Sequence, residues 1–210
     1  MSYLSEKACE TIMTIARITA PVRGGQTGYT VYDVVRAMEI ISQGAGRPLL
    51  SRELGLGEAS IKTMLRRMRD EGLISRTGRG NTLSDRGLAV LYIIKDNVKV
   101  VGPLEGFKWI RNAYVIIIPG VNPPVNMVDV IRWRDYLVAH GCREAIVGGL
   151  LEDAVIVPGA PVEVARDLQR ELLQTVDADR ALVYVVPSEC VKRGYQAAVD
   201  ALIDNCKPGS

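Results

Sequence analysis

The sequence predicts an α+β protein made of two unlike parts, and three observations carry that reading. Residues 4–97 hold apolar side chains at helical spacing, interrupted by one short hairpin pattern. From residue 113 onward, β-rich runs alternate with amphipathic segments in the order βαββαβα. Between the two lies KVVGPLEGFK (residues 99–108), where Gly, Pro and Gly interrupt both patterns and the charge balance changes sign. Residues 1–100 carry fifteen Lys or Arg against ten Asp or Glu, and residues 101–210 carry eleven against fourteen. The boundary is therefore placed at 99–108. This gives an N-terminal helix and loop (1–29), a first domain (30–97) and a second domain (104–206).

The first helix follows from Leu4, Ala8, Ile12, Ile15 and Ile18, which repeat on one stripe and stop before Pro21 and the Gly-rich run Arg23–Gly28. That stripe can cover its own domain or meet a second copy of the chain, and the spacing favours neither. Thr30 caps a second helix with Val34, Val35, Met38 and Ile41 as its buried face, ended by Gly44 and Gly46. Residues 48–54 form a short third helix, Gly55-Leu56-Gly57 a turn, and Glu58 opens a fourth. In that fourth helix Ile61, Met64, Leu65 and Met68 fall at i, i+3, i+4 and i+7 and face a core. Ala59, Thr63, Arg66 and Asp70 point away, flanked by Lys62 and Arg69 on one side and Ser60 and Arg67 on the other. Gly72 supplies the left-handed position that ends such a helix.

A hairpin pattern comes next, with strands at 73–77 and 82–84 around the turn Gly78-Arg79-Gly80-Asn81. Ser84 then caps a helix on which Leu88, Leu91 and Tyr92 continue the apolar spacing. Residues 44–86 contain nine Lys or Arg and five acids, so this segment holds the basic surplus of the chain. In the order helix, turn, helix, basic hairpin, with Glu71-Gly72-Leu73-Ile74 leading to Leu83-Ser84-Asp85-Arg86-Gly87, residues 30–97 resemble the winged helix-turn-helix transcription regulators of bacteria and archaea. The resemblance implies double-stranded DNA as partner. Ser60, Lys62, Thr63 and Arg66 are then the candidates for base edges, and Arg67, Arg76, Arg79 and Arg86 for phosphates or the adjacent minor groove. One such reading head is short, so a homodimer engaging two half-sites is expected, joined through the first helix, the second domain, or both.

In the second half, residues 113–118 read as a strand, 125–139 as a helix, 144–151 and 154–157 as strands around Glu152-Asp153, 162–174 as a helix, 181–186 as a strand and 189–206 as a last helix. A ferredoxin-like sandwich, with helices on one face of an antiparallel sheet, is the economical arrangement of that order, and a mixed α/β sheet is its main competitor. Such a domain would dimerise or sense a small effector. Its candidate ligand residues are Arg132, beside Trp133 and Arg134, and the pair Gly148-Gly149, which marks a bulge or the close approach of another group within a strand.

No run reaches the length of a bilayer span and the N-terminus lacks the order of a signal peptide, so a cytoplasmic protein without membrane contact is expected. Cys9, Cys142, Cys190 and Cys206 are widely spaced and His140 is the only histidine, so neither a metal nor another cofactor is expected and the cysteines read as buried thiols, with a disulfide left open for a hyperthermophile source. No phosphate loop, dinucleotide fingerprint or nucleophile motif is present, and no catalysis is assigned. The rivals to a DNA-binding regulator are a winged-helix adaptor between proteins and an enzyme carrying an accessory winged helix.

Overall fold

The structure, a computed structural model, describes residues 4–21, 27–44, 46–78, 80–172 and 178–206. Helix and sheet are both present and the chain is of the α+β class. It divides into a compact unit at Glu6–Lys95 and a second that begins at Asp96. No helix among the described residues is long and apolar enough to cross a membrane.

The first unit is helical apart from one hairpin. Helix α1 (Glu6–Thr19) buries Ala8, Ile12, Ile15 and Ile18 against α2 (Val31–Ser42) and α4 (Glu58–Asp70). The stripe that could have met a second copy is therefore consumed inside its own unit. Thr30 and Asp33 close a capping box at the start of α2: Asp33 N donates to Thr30 Oγ1 at 3.3 Å and Thr30 N donates to Asp33 Oδ2 at 2.8 Å. Gly44 takes the left-handed turn after α2 at φ +81°. Gly46 starts the next helix instead of ending the last, as N-cap of α3 (Arg47–Leu54) with Pro48 in its first turn.

The end of α4 and the hairpin behind it are one locked junction. Gly72 N donates to Arg69 O and Leu73 N to Met68 O, both at 2.8 Å, which is the Schellman pattern around a left-handed Gly72. Strands β1 (Ile74–Thr77) and β2 (Gly80–Leu83) pair from Ile74 opposite Leu83 to Thr77 opposite Gly80, so β2 begins two residues earlier than the turn pattern predicts. Ser84 N and Oγ both reach back to Leu73 O, at 3.0 and 3.1 Å, and Ser84 Oγ accepts from Gly87 N at 2.9 Å. Helix α5 (Asp85–Asn97) then buries Gly87, Val90, Leu91 and Ile94. Leu88 and Tyr92, expected to anchor it, are exposed at 39% and 75%. The contact is centred on Gly87, so the buried stripe is rotated away from both side chains.

The second unit holds one antiparallel sheet in the order β3-β4-β7-β5-β6. Its strands are β3 (Lys99–Val101), β4 (Ala113–Pro119), β5 (Ile146–Leu151), β6 (Ala154–Ile156) and β7 (Arg180–Pro187). Strand β3 lies within the segment expected to be linker. It pairs with β4, which moves the change of unit back to Asp96. Helix α6 (Met127–Ala139) connects β4 to β5, α7 (Val162–Leu172) connects β6 to β7, and α8 (Val191–Asn205) follows a 3-10 turn at Ser188–Cys190.

The expected placement of helices on a single face is not what the chain adopts. Val115, Ile117, Val183 and Val185 pack with Val164, Leu168 and Leu172 of α7 and with Leu104, Phe107 and Ile110. From the other face, Ile116 and Val186 approach Gly194 of α8 and Leu137 of α6. Strands β4 and β5 are parallel to each other across β7, and β6 and β7 are parallel across β5. Two such split crossovers leaving on opposite faces have opposite hands, so one of them is left-handed, against the usual preference. The sequence carries the cue for two covered faces: Val115–Ile118 and Ala181–Val186 are unbroken apolar runs without the alternation of a half-exposed strand.

Not all four cysteines keep free thiols. Cys9 and Cys206 are disulfide-bonded, whereas Cys142 and Cys190 are free and buried.

A Cβ at position 87 would lie 2.0 Å from Leu73 O and 2.9 Å from its carbonyl carbon. Both are backbone atoms of the locked junction and cannot step aside. Gly87→Ala is therefore expected to destabilise the first unit by about 1–3 kcal/mol or more, read as a lower urea midpoint. A midpoint equal to that of the unaltered protein would show that the approach of α5 to Leu73 has been misassigned.

Candidate nucleic-acid interface

Helices α3 and α4 border a groove of about 480 Å³, lined by Arg47, Pro48 and Ser51 on one side and Glu58, Ala59 and Lys62 on the other. The apolar stripe of α4 (Ile61, Met64, Leu65, Met68) is wholly buried, which turns its opposite side outward. Lys62 and Arg66 on that side are exposed, and Thr63 is half-buried. Among the described residues neither Lys62 nor Arg66 has a hydrogen-bond or ion-pair partner. Two cations left unpaired on one helix face can engage an external anion without first breaking an internal contact.

The remaining sequence candidates divide. Ser60 is half-buried beside Gly28, where a Cβ would meet its Oγ at 2.6 Å. The start of α4 is thus partly covered by the chain that precedes α2, and Ser60 is less open than its helical position suggests. Arg76 on β1 and Arg86 in the first turn of α5 are both exposed. Arg79 lies outside the described residues.

Arg67 has partners within its own unit. Its guanidinium donates from Nη1 to Ile18 O and to Ala20 O, each at 2.7 Å. Tyr29 Oη also donates to Ile18 O, at 3.0 Å, and burial pushes the Tyr29 phenol above its usual range. These donors satisfy carbonyls at the end of α1 that no helical N–H can reach. Arg67 therefore fastens α4 to α1 through its Nη1. The separation of roles was not readable from helical phase, because the partner carbonyls lie 49 and 47 residues earlier in the chain.

Arg17 makes a two-pronged contact with Glu71, Nε to Oε1 and Nη2 to Oε2, both at 3.1 Å. That hydrogen bonding holds the Glu71 carboxyl below its ordinary value, against desolvation, with help from the charges of Arg17 and Arg86. Arg69 Nη1 donates to Asn81 Oδ1 at 3.3 Å and ties α4 to β2. Sequence reasoning placed Arg69 on the flank of the helix and gave Asn81 a turn role, so this brace was missed.

In the second unit the candidate ligand residues are not brought together. Arg132 is exposed, with its guanidinium carbon 5.5 Å from the centre of the buried Trp133 ring. Gly148 and Gly149 are buried in an unbroken register, opposite Val183 and Leu182. There is no bulge. A Cβ on Gly148 would be 2.7 Å from Ile156 O, and one on Gly149 would be 2.3 Å from Pro123 Cβ and 2.4 Å from Ala181 O. Close packing of neighbouring chain accounts for both glycines and leaves no space for a ligand. Trp109 is neither buried nor free, since Nε1 donates to Asp167 Oδ2 at 3.0 Å and Lys108 lies 5.4 Å from the ring centre.

No protein-family model matches this chain, and no curated protein matches it. Among solved structures, a hypothetical protein from Pyrococcus horikoshii OT3 is similar in fold, with a TM-score of 0.56 at 19% identity over 83% of this chain and 91% of that one.

Two outcomes follow from these contacts. Arg67→Ala should lower the stability of the first unit by about 1–3 kcal/mol, the worth of charge-assisted bonds to backbone carbonyls, and the loss is read by urea denaturation. The Glu71 carboxyl is held down in the folded state, so its contribution is present above its unfolded value, near 4.5, and is lost as pH falls through the lower folded value. Glu71→Gln should therefore flatten the acid limb of a stability-versus-pH curve. Parallel curves for the two proteins would refute that assignment.

Proposed function

We propose that the protein is a cytoplasmic DNA-binding transcription regulator. Its first unit acts as a winged helix-turn-helix, and its sheet unit, which the sequence expected to be ferredoxin-like, serves dimerisation or effector sensing. The observation that carries this reading is the outward side of α4. Lys62 and Arg66 stand there without hydrogen-bond or ion-pair partners among the described residues, next to a hairpin bearing Arg76 that is braced to the same helix through Arg69, Asn81 and the Gly72-Leu73 junction.

In the proposed complex the first turns of α4 enter the major groove. Lys62, Thr63 and Arg66 meet base edges, with Ser60 at the margin, while Arg76, Arg79 and Arg86 hold phosphates. The groove between α3 and α4 adds Arg47 to that side. Arg67 belongs to the scaffold and leaves the contact set.

About five cationic contacts should make duplex binding lose on the order of 10²–10³-fold in affinity between about 50 and 200 mM salt. Arg66→Ala should cost about 1–3 kcal/mol and relax preference at one position, whereas Arg76→Ala should weaken all duplexes alike and flatten the salt slope. Fluorescence anisotropy on selected and random duplexes reads both. Absence of any shift at low salt would end the DNA reading and favour the protein adaptor. Equal effects of the two substitutions on every duplex would mean that α4 does not read sequence.

A further inference from the structure

Helix α6 buries Trp133 and Leu137 on one side, and its opposite side exposes large apolar side chains around the charges of Arg132 and Asp135. Val128 is 75% exposed, Ile131 56% and Val138 46%. Val125 and Met127, at the helix start, are 64% and 49% exposed. Together these five leave on the order of 500 Å² in solvent, the size at which an apolar patch on a monomer marks a binding surface.

We infer that this face of α6 is the contact between two copies of the chain, paired antiparallel across a two-fold axis. The charge pattern selects that occupant. Arg132 and Asp135 are both exposed, sit three residues apart near the middle of the helix, and have no ion-pair partner among the described residues. When two α6 helices are laid antiparallel about a point between these residues, Arg132 of each copy stands opposite Asp135 of the other, and Val128 of each comes close to Val138 of the other. A two-fold interface requires self-complementarity of this kind, with one pair of opposite charges serving twice. The apolar stripe of the first helix is spent within its own unit, which leaves the second domain, to which α6 belongs, of the two contacts expected from the sequence.

The pairing is tested on the full chain without DNA, which keeps it separate from the nucleic-acid reading. Sedimentation velocity should show a dimer at tens of micromolar. Ile131→Glu should raise the dimer dissociation constant at least about tenfold, with unchanged circular dichroism because the position is exposed. Arg132→Asp alone should also weaken the dimer by setting like charges against each other, and the exchanged pair Arg132→Asp with Asp135→Arg should restore it. A monomer at about 100 μM, or a dimer that Ile131→Glu leaves intact, overturns the proposal. An exchanged pair that remains as weak as Arg132→Asp overturns the antiparallel arrangement.

Discussion

The first unit depends on a single peptide, Gly72-Leu73. The Leu73 N–H closes α4 onto Met68 O, and the Leu73 carbonyl accepts from Ser84 N and Oγ. The same carbonyl is approached so closely by α5 that only glycine is tolerated at position 87. The end of one helix, the start of a strand and the start of another helix therefore share one set of backbone atoms. A two-stranded hairpin is marginal by itself. Here its direction relative to α4 is set at its base by this junction and at mid-length by Arg69 and Asn81. Whatever the hairpin and α4 engage, they present as one surface.

The cost of that rigidity is visible in how the basic residues are allocated. α4 carries Lys62, Arg66, Arg67 and Arg69, and two of the four are committed to the interior framework: Arg67 to the end of α1 and Arg69 to β2. Arg17 and Glu71 add a further tie between α1 and the end of α4. Guanidinium groups suit such work because they stay charged and offer several donors in a fixed plane. A count of positive charges along the segment overstates the part of it that is open to an anion.

The second unit rests on a different constraint. Strands β4 and β7 are central and apolar on both faces, so both faces need cover. α7 and the 104–110 segment supply one layer, α6 and α8 the other. α6 is left half in solvent, and its outer side keeps Val128, Ile131 and Val138 exposed beside Arg132 and Asp135. The Gly148-Gly149 pair answers the same crowding, since Pro123 on one side and the Ile156 carbonyl on the other come within contact distance of the strand.

The element order apart from β3, the buried stripe of α4, the caps at Thr30 and Ser84 and the left-handed end at Gly72 were legible in the sequence, because each of these is decided by residues within one or two turns of each other. The sequence also located the outward cations Lys62 and Arg66, which follow from helical phase alone. That Arg67 is a brace, that α1 is buried in its own unit, that β3 joins the sheet and that helices lie on both faces are outcomes of contacts between segments far apart in the chain. The Arg67 carbonyl partners are some fifty residues away, and strand order is set by which apolar runs find one another across the fold. Periodicity says that a face must be covered, and it carries no information about what covers it, because the hydrophobic effect has no direction.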